Sequence, residues 1–520
     1  MAVAREVNQL KIGSLLSYVQ MGLGAVVSLA FTPVMLRLLG RSEYGLYSTV
    51  TSAISMLSLL DLGFSSGYIR FYAQYREKGD RNGIARLNGF FLLLFSGLGL
   101  VALGCGLFLT GHAELVFSRG LTAEEYATAR RLLRILSVNL SCMFPMRVFG
   151  NIISAKERFV FLRAVHLGRT VLSPLVMLPL LLMDYRSAAM VWVTLLFSLG
   201  TDLLFAWYVL QVLGEKFVFR GFERGAVRSL LLYTSFIAVN LIADQVNWNV
   251  DKVLLGRFRG TGEVAVYAVG YTLFQYYMML STSVSSVFTP RIHRIIRQTE
   301  TETDDRARRQ ALTELFTRVG RVQLLLLGLA ATGVAFFGRA FILRWWAGPE
   351  YGGAYPVALI LMLSATVDLI QNTGIEMQRA QNLHGFRSLV YGAMAVGNLV
   401  LSVFLCRRYG ALGAVAGTAA SMLLANGLAM NLYYHRRCGV DVLHFWRSVG
   451  RLCRGMMIPV FCGGALGWLV RDAGLGAYLG AIAVYTAIYG ASMWHFGMDA
   501  YEKELFAGPV RHLRARKPIQ

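Results

Sequence analysis

Arg70 to Leu109 reads RFYAQYREKGDRNGIARLNGFFLLLFSGLGLVALGCGLFL, five Lys or Arg followed by a long apolar run. A hydrocarbon core takes about 20 residues of helix, so residues 84–109 form a membrane span. Basic side chains resist translocation, so Arg70–Arg86 marks the cytoplasmic end of that span. The same pairing recurs along the chain. Basic segments lie at Arg5–Lys11, Arg70–Arg86, Lys156–Arg163, Lys216–Arg228, Arg291–Arg321, Arg379–Arg387, Arg436–Arg454 and Lys503–Lys517, each followed by two spans before the next. About 34 of the 51 Lys and Arg fall in these segments and about 15 in the opposite loops, which leaves Arg147 and Arg169 well inside spans. The beat predicts an all-α polytopic membrane protein with an even number of spans, about fourteen, and both termini cytoplasmic.

Composition agrees. Of 520 residues, 56% are hydrophobic and 15% charged, and the mean hydropathy of +0.52 is too high for a soluble globule. The net charge of +22 is spread over short loops, as membrane orientation demands, and no basic helix with interleaved aromatics calls for nucleic acid. The six cysteines are scattered and read as small apolar residues, with no disulfide framework or metal site. His-Glu-x-x-His and P-loop patterns are absent, so no enzymatic activity is expected. The longest loop, Arg291–Arg318, contains RQTETETDDRARRQ and reads as a polar cytoplasmic linker.

Two segments repeat. Ser14-Leu-Leu-Ser-Tyr18 and Ser229-Leu-Leu-Leu-Tyr233 each open a span, and Leu38-Leu-Gly40 and Leu254-Leu-Gly256 follow near its outer end. Six spans separate the copies, an even number that preserves orientation. The expectation is two pseudo-symmetric six-helix lobes, 1–225 and 226–440, with the last two spans and a cytoplasmic tail in 441–520.

An ionisable group inside a span costs about 2.5–3.5 kcal/mol on insertion scales, so it tends to face a cavity or a partner. Asp61, Arg147, Arg169 and Asp202 come from four spans at one depth, which points either to a shared polar cavity or to structural pairs of Asp61 or Asp202 with either arginine. In the second half, Asn240, Asp244, Asn247 and Asp251 share one helical face, as do Asp368, Asn372 and Glu376 with Arg379 beyond. Gln275 adds a polar group near mid-membrane. Asp244 and Asp368, with Asn247 and Asn372 beside them, are candidates for a coupling-ion or proton site, the alternative being hydrogen bonds to neighbouring helices.

The run Pro33-Val-Met-Leu-Arg-Leu-Leu-Gly-Arg-Ser-Glu-Tyr-Gly-Leu-Tyr47, then Leu59-Leu-Asp-Leu-Gly63 and Arg70-Phe-Tyr-Ala-Gln-Tyr-Arg76, resembles the Wzx-like polysaccharide-biosynthesis flippases of the multidrug/oligosaccharidyl-lipid/polysaccharide exporter superfamily. Asp251-Lys-Val-Leu-Leu-Gly256 and Tyr409-Gly-Ala-Leu-Gly-Ala-Val-Ala-Gly417 are similar to that family too. The resemblance implies a two-lobed fold like that of multidrug exporters and lipid II flippases. It implies alternating-access flipping of an undecaprenyl-diphosphate-linked oligosaccharide across the bacterial inner membrane, for O-antigen, capsule or exopolysaccharide. No cofactor is implied beyond an H+ or Na+ gradient; partners would be the lipid-linked substrate, membrane lipids, and a polysaccharide polymerase with its chain-length machinery. Their depth in the membrane, and not the resemblance, assigns Arg147 and Arg169 to the diphosphate. On the flippase reading, Tyr271, Tyr276, Tyr277, Ser281, Ser283 and Ser285 face the sugars, while Asp61, Asp202 and Gln275 complete the substrate-binding set. The rivals are a lipid II flippase, a drug/cation antiporter of the same superfamily, and, of a different class, a membrane glycan polymerase or ligase, which would be expected to carry a large outer loop.

Overall fold

Hydrocarbon supplies no hydrogen bonds, so a segment that crosses it must satisfy its own backbone, and a helix does so internally. The computed structural model describes residues 2–117, 121–221, 224–300, 305–381 and 383–515, and none of these lies in a β-strand. Residues 301–304 of the polar linker and the basic tail residues 516–520 lie outside the described residues. In chain order the helices are α1 (Ala2–Leu57), α2 (Phe64–Glu77), α3 (Arg81–Gly111), α4 (Ala123–Ala155), α5 (Phe159–Leu182), α6 (Arg186–Trp207), α7 (Arg224–Phe258), α8 (Thr261–Glu300) and α9 (Asp305–Ala340). There follow α10 (Ala354–Leu369), α11 (Asn372–Ala380), α12 (His384–Tyr409), α13 (Ala411–Met422), α14 (Asn431–Arg436), α15 (Val442–Arg454), α16 (Met457–Leu469), α17 (Leu475–Ser492) and α18 (Ala500–Ala515).

Among the described residues, eleven helices are long and apolar enough to cross a membrane, or twelve if the bent pair α15–α16 is one span. The chain is a multi-pass membrane protein, and fewer helices meet that test than the fourteen expected, for local reasons. The first candidate runs 66 residues, Ile12–Glu77, roughly 100 Å at helical rise and far more than one bilayer. It is broken at Gly40 (φ 74, ψ 172) and again at Leu62 and Gly63 (φ 46 and 80). Helix α8 is not counted because Tyr271, Gln275, Tyr276, Tyr277 and its serines lower its hydropathy. Helix α16 has only 13 residues. Large apolar side chains stay exposed, among them Trp468 at 77% and Phe461 at 75%, as suits a surface whose solvent is lipid.

The chain forms two compact units, Met1–Val269 with Tyr391–Gly417, and Gly270–Val390 with Thr418–Gln520. In the first, the Arg41-Ser-Glu-Tyr-Gly45 run clamps several helix ends. Arg41 Nε donates to the Gly262 carbonyl at 3.1 Å. Ser42 Oγ lies 2.5 Å from Glu125 and 2.8 Å from Thr261 Oγ1, and Glu43 accepts from Ser187 N and Oγ at 2.8 and 2.5 Å. Gly45 is required by this approach, because a Cβ there would lie 1.9 Å from the Thr261 carbonyl oxygen. The repeated Leu-Leu-Gly glycines do different work. Gly40 breaks α1, while Gly256 stays helical within α7, with Thr49 filling the space a side chain would need.

The opposite end of this unit closes over a buried polar hub. Tyr68 donates to Asn88 Oδ1 at 2.6 Å, and Asn88 Nδ2 donates to Glu215 and to the Lys216 carbonyl at 3.0 and 3.1 Å. Glu215 also pairs with Lys156. Apolar walls give such bonds few competitors, so they pin the extended segment after α6 onto α3.

In the second unit α9 is central. Three tyrosines of α17 donate to it: Tyr478 to the Phe337 carbonyl at 2.9 Å, Tyr485 to Thr332 Oγ1 at 2.6 Å and Tyr489 to the Leu325 carbonyl at 2.9 Å. On the basic-loop side, Arg321 of α9 is 8% exposed and makes a two-pronged pair with the fully buried Glu502, at 2.6 and 2.9 Å. It also donates to the carbonyls of Ser448 and Gly497. Among the cysteines, Cys406 and Cys438 are buried, and burial pushes the Cys438 thiol, in the loop after α14, up to about 12.

Gly45→Ala should destabilise the fold by about 1–3 kcal/mol, as overpacking does. Gly97→Ala, where nothing lies within 4 Å of the new Cβ, should leave it unchanged. Thermal melts of the two purified variants in detergent check this, and equal midpoints would refute the clamp.

Candidate functional site

Asp61 sits where the second span comes apart. The chain passes from a 3-10 turn, Ser58–Asp61, through left-handed Leu62 and Gly63 into α2. The Asp61 carboxylate caps the new helix, accepting from Ser65 N at 3.1 Å and Ser65 Oγ at 3.0 Å. A negative group at that end is favoured by the helix dipole. The same carboxylate takes Arg147 Nη1 at 2.5 Å, side chains 15% and 26% exposed. Arg147 lies on α4 two residues after Pro145, with its guanidinium 4.9 Å above the Phe144 ring. Proline removes a backbone bond to residue 141, and the Ser141 carbonyl lies against Gly99 of α3.

Arg169 on α5 donates from Nη2 to Ser198 Oγ on α6 at 2.9 Å. One turn further along α6, Asp202 lies in the field of both Arg169 and Arg147, while its buried Oδ2 makes no hydrogen bond among the described residues. Of the two pairings the sequence left open, Asp61 joins Arg147, and Arg169 is bonded to a serine. A cavity of about 500 Å³ opens between α5 and α6, lined by Arg169 and Thr201 and otherwise by Val165, Leu172, Leu196 and Leu204 among others. Its walls are apolar, and Asp61, Arg147 and Asp202 are not part of that lining.

On α7, Asp244 is half-buried and has an interaction partner, while Asn247 is 2% exposed with both amide atoms unsatisfied among the described residues. Asp251, three turns along that stripe from Asn240, is the best-connected group. It is 1% exposed and accepts from Tyr267 Oη at 2.8 Å and from Ser402 Oγ at 2.8 Å, which ties α7 to α8 and α12.

In the second unit Tyr277 is buried and meets Thr366 Oγ1 at 2.6 Å, Tyr276 is half-buried, and Gln275 is exposed. The stripe expected from Asp368 through Asn372 to Glu376 is interrupted by a turn between two helices. The span turns at Ile370 and Gln371, so Asp368 ends α10 while Asn372 begins α11. Asn372 Nδ2 lies 3.4 Å from Ser281 Oγ and from Ser285 Oγ, and Gln323 also donates to Ser285. Glu376 pairs with Arg379 at 2.8 Å. Asp368 is half-buried and engaged. Among the described residues no group of three His, Cys, Asp or Glu has the arrangement of a metal site. Sequence reasoning missed the roles of Asp251 and Arg321. Arg321 carried a signal, since it lies in Val319-Gly-Arg-Val-Gln-Leu324 and not among the polar residues before it.

Two compact all-helical units, with spans interrupted beside Asp61 and Asp368, form a fold shared with solved membrane transporters. An inward-closed structure of the lipid II flippase MurJ superposes with a TM-score of 0.67, covering 96% of this chain and 99% of that one at 14% identity. An inward-facing multidrug resistance MATE transporter superposes at 0.58, covering 81% and 99%, also at 14% identity. The sequence narrows this class further: the profile of the polysaccharide biosynthesis protein family matches residues 11–296, and the chain belongs to that family. A candidate O-antigen transporter of Shigella flexneri is 21% identical over 433 residues, 80% of this chain and 94% of that protein.

Asp61→Asn keeps an acceptor for Ser65 and removes the charge, so it isolates the ion pair from the cap. In a double-mutant cycle with Arg147→Gln, thermal stability should show a coupling of about 1–3 kcal/mol. A coupling near zero would mean that the two groups act independently.

Proposed function

We propose that this protein flips a polyprenyl-diphosphate-linked oligosaccharide from the cytoplasmic to the outer leaflet of a bacterial inner membrane, by alternating access, with both termini cytoplasmic. The reading is carried by Arg147 and Arg169, two guanidinium groups at membrane depth in a chain of the polysaccharide biosynthesis family. A diphosphate entering low dielectric needs charge-assisted donors, and the planar arginine fork matches phosphate oxygens. In the α5/α6 cavity one guanidinium stands among apolar walls, a combination that suits a phosphate carried on a lipid tail. Arg147 is held by Asp61 and Arg169 by Ser198, so each is oriented before any ligand arrives. The Shigella relative and the MurJ fold support transport of a lipid-linked glycan, and the broken spans at Leu62–Gly63 and Ile370–Gln371 supply places for helices to bend. Gln275, Tyr276 and the Ser281–Ser285–Asn372 cluster are assigned to the hydrated sugars, and Asp244 and Asp368 to coupling with an ion gradient.

Lipid II transport is the second reading, favoured by an alignment that covers 99% of MurJ. Rescue of a strain depleted of its lipid II flippase would select it over surface-glycan export.

Arg147→Ala and Arg169→Ala should abolish surface glycan while the protein remains inserted in the membrane, as read by glycan staining beside a membrane immunoblot. Normal glycan in both strains would remove the arginines from the substrate path. Asp244→Asn and Asp368→Asn should slow gradient-driven flipping in proteoliposomes. Rates that ignore the gradient would strike both carboxylates from the coupling role.

A further inference from the structure

The largest of the cavities described has neither Arg147 nor Arg169 in its lining. It encloses about 1140 Å³ within the second unit, between α9, α15 and the turn from α17 into α18. Five arginines and three carboxylates line it. Most of these charges are already engaged. Arg318 pairs with Glu314, and Arg321 with Glu502. Asp441 caps α15 by accepting from Leu443 N and His444 N, both at 3.0 Å, and Asp499 accepts from Glu502 N at 2.9 Å. Arg306 has a partner as well. Arg309 on α9 and Arg451 on α15, both in the lining, are left without an ion pair among the described residues. Thr317, 7% exposed, also lines it, and its Oγ1 has no hydrogen-bond partner among the described residues.

The surroundings specify the kind of anion. Helix α15 turns Phe445, Val449 and Leu452 into the unit and carries Arg447, Arg451 and Arg454 on its exposed side. It then bends by 46° into apolar α16. A helix with one apolar face and one basic face, joined at an angle to a membrane segment, belongs at the headgroup level. At the mouth, Phe496 lines the cavity while 67% exposed, and Leu443 in the first turn of α15 is 57% exposed. A soluble phosphate would leave those side chains in water, whereas a lipid's acyl chain covers them.

We infer that this cavity binds the phosphate headgroup of an anionic phospholipid, held between Arg309 and Arg451, with an acyl chain running out past Phe496. The site is independent of the transported substrate. It lies on the basic-loop face, cytoplasmic in the orientation proposed above, where basic pockets meet acidic lipid.

The test is native mass spectrometry of the full-length protein in detergent, titrated in separate arms with phosphatidylglycerol, phosphatidylcholine and inorganic phosphate. Phosphatidylglycerol should be retained at concentrations where phosphatidylcholine is not. Removing a cation from the site should weaken retention about fivefold for each of Arg309→Ala and Arg451→Ala. Arg309→Lys should keep most of the binding. The pair Arg447→Ala/Arg454→Ala removes the same charge outside the cavity and should change retention less than twofold. An equal loss in Arg447→Ala/Arg454→Ala and in the double variant Arg309→Ala/Arg451→Ala would reduce the effect to diffuse surface attraction and overturn the site. Equal retention of phosphatidylcholine would do the same, and competition by millimolar inorganic phosphate would assign the cavity to a soluble anion.

Discussion

Hydrocarbon cannot hydrogen-bond, and that one constraint governs where every polar side chain of this protein can stand. The tyrosines of α17 meet it by donating to α9, and Asp251 by collecting two hydroxyls. Asp61 meets it twice, with a helix end and a guanidinium. Helices that share no apolar preference for one another over lipid tails are joined at these bonds and at close approaches such as Gly45 on the Thr261 carbonyl. The polar residues therefore serve as joints first, and only those with capacity left over can serve a ligand.

Arg147, Arg169 and Asp202 differ in that respect. A guanidinium has five N–H groups, and one serine accounts for little of what Arg169 can donate. Arg147 is more fully committed, through Asp61 and the face of Phe144. A diphosphate would thus exchange partners with Arg147 but add to those of Arg169. Two arginines that look alike in the sequence stand in different electrostatic states before any substrate arrives.

Much of this was legible in the sequence, because the features that set it are local. A run of apolar residues names a span, a basic segment names its end, and an arginine among leucines stands out wherever it falls. What escaped was non-local. Asp251 finds Tyr267 sixteen residues on and Ser402 on α12, and no spacing rule connects the three. Arg321 was grouped with the basic linker that precedes it, although its partner Glu502 lies near the far end of the chain. The stripe from Asp368 to Glu376 was read at constant helical pitch, and the turn at Ile370–Gln371 has no proline or glycine to announce it. The repeated Leu-Leu-Gly shows the converse, equal letters with unequal geometry, since the surroundings of Gly40 and Gly256 decide which one bends.

The tyrosine attachment of α17 carries a mechanical consequence. Tyr478, Tyr485 and Tyr489 follow at spacings of seven and four residues, so they point from one side of the helix toward acceptors spread along α9 from Leu325 to Phe337. Sliding α17 by half a turn, or rolling it by one residue, would draw all three hydroxyls away from their present acceptors together. Such a connection is stiff toward shear and toward torsion. Whatever bending α9 undergoes, α17 is carried with it as a splint.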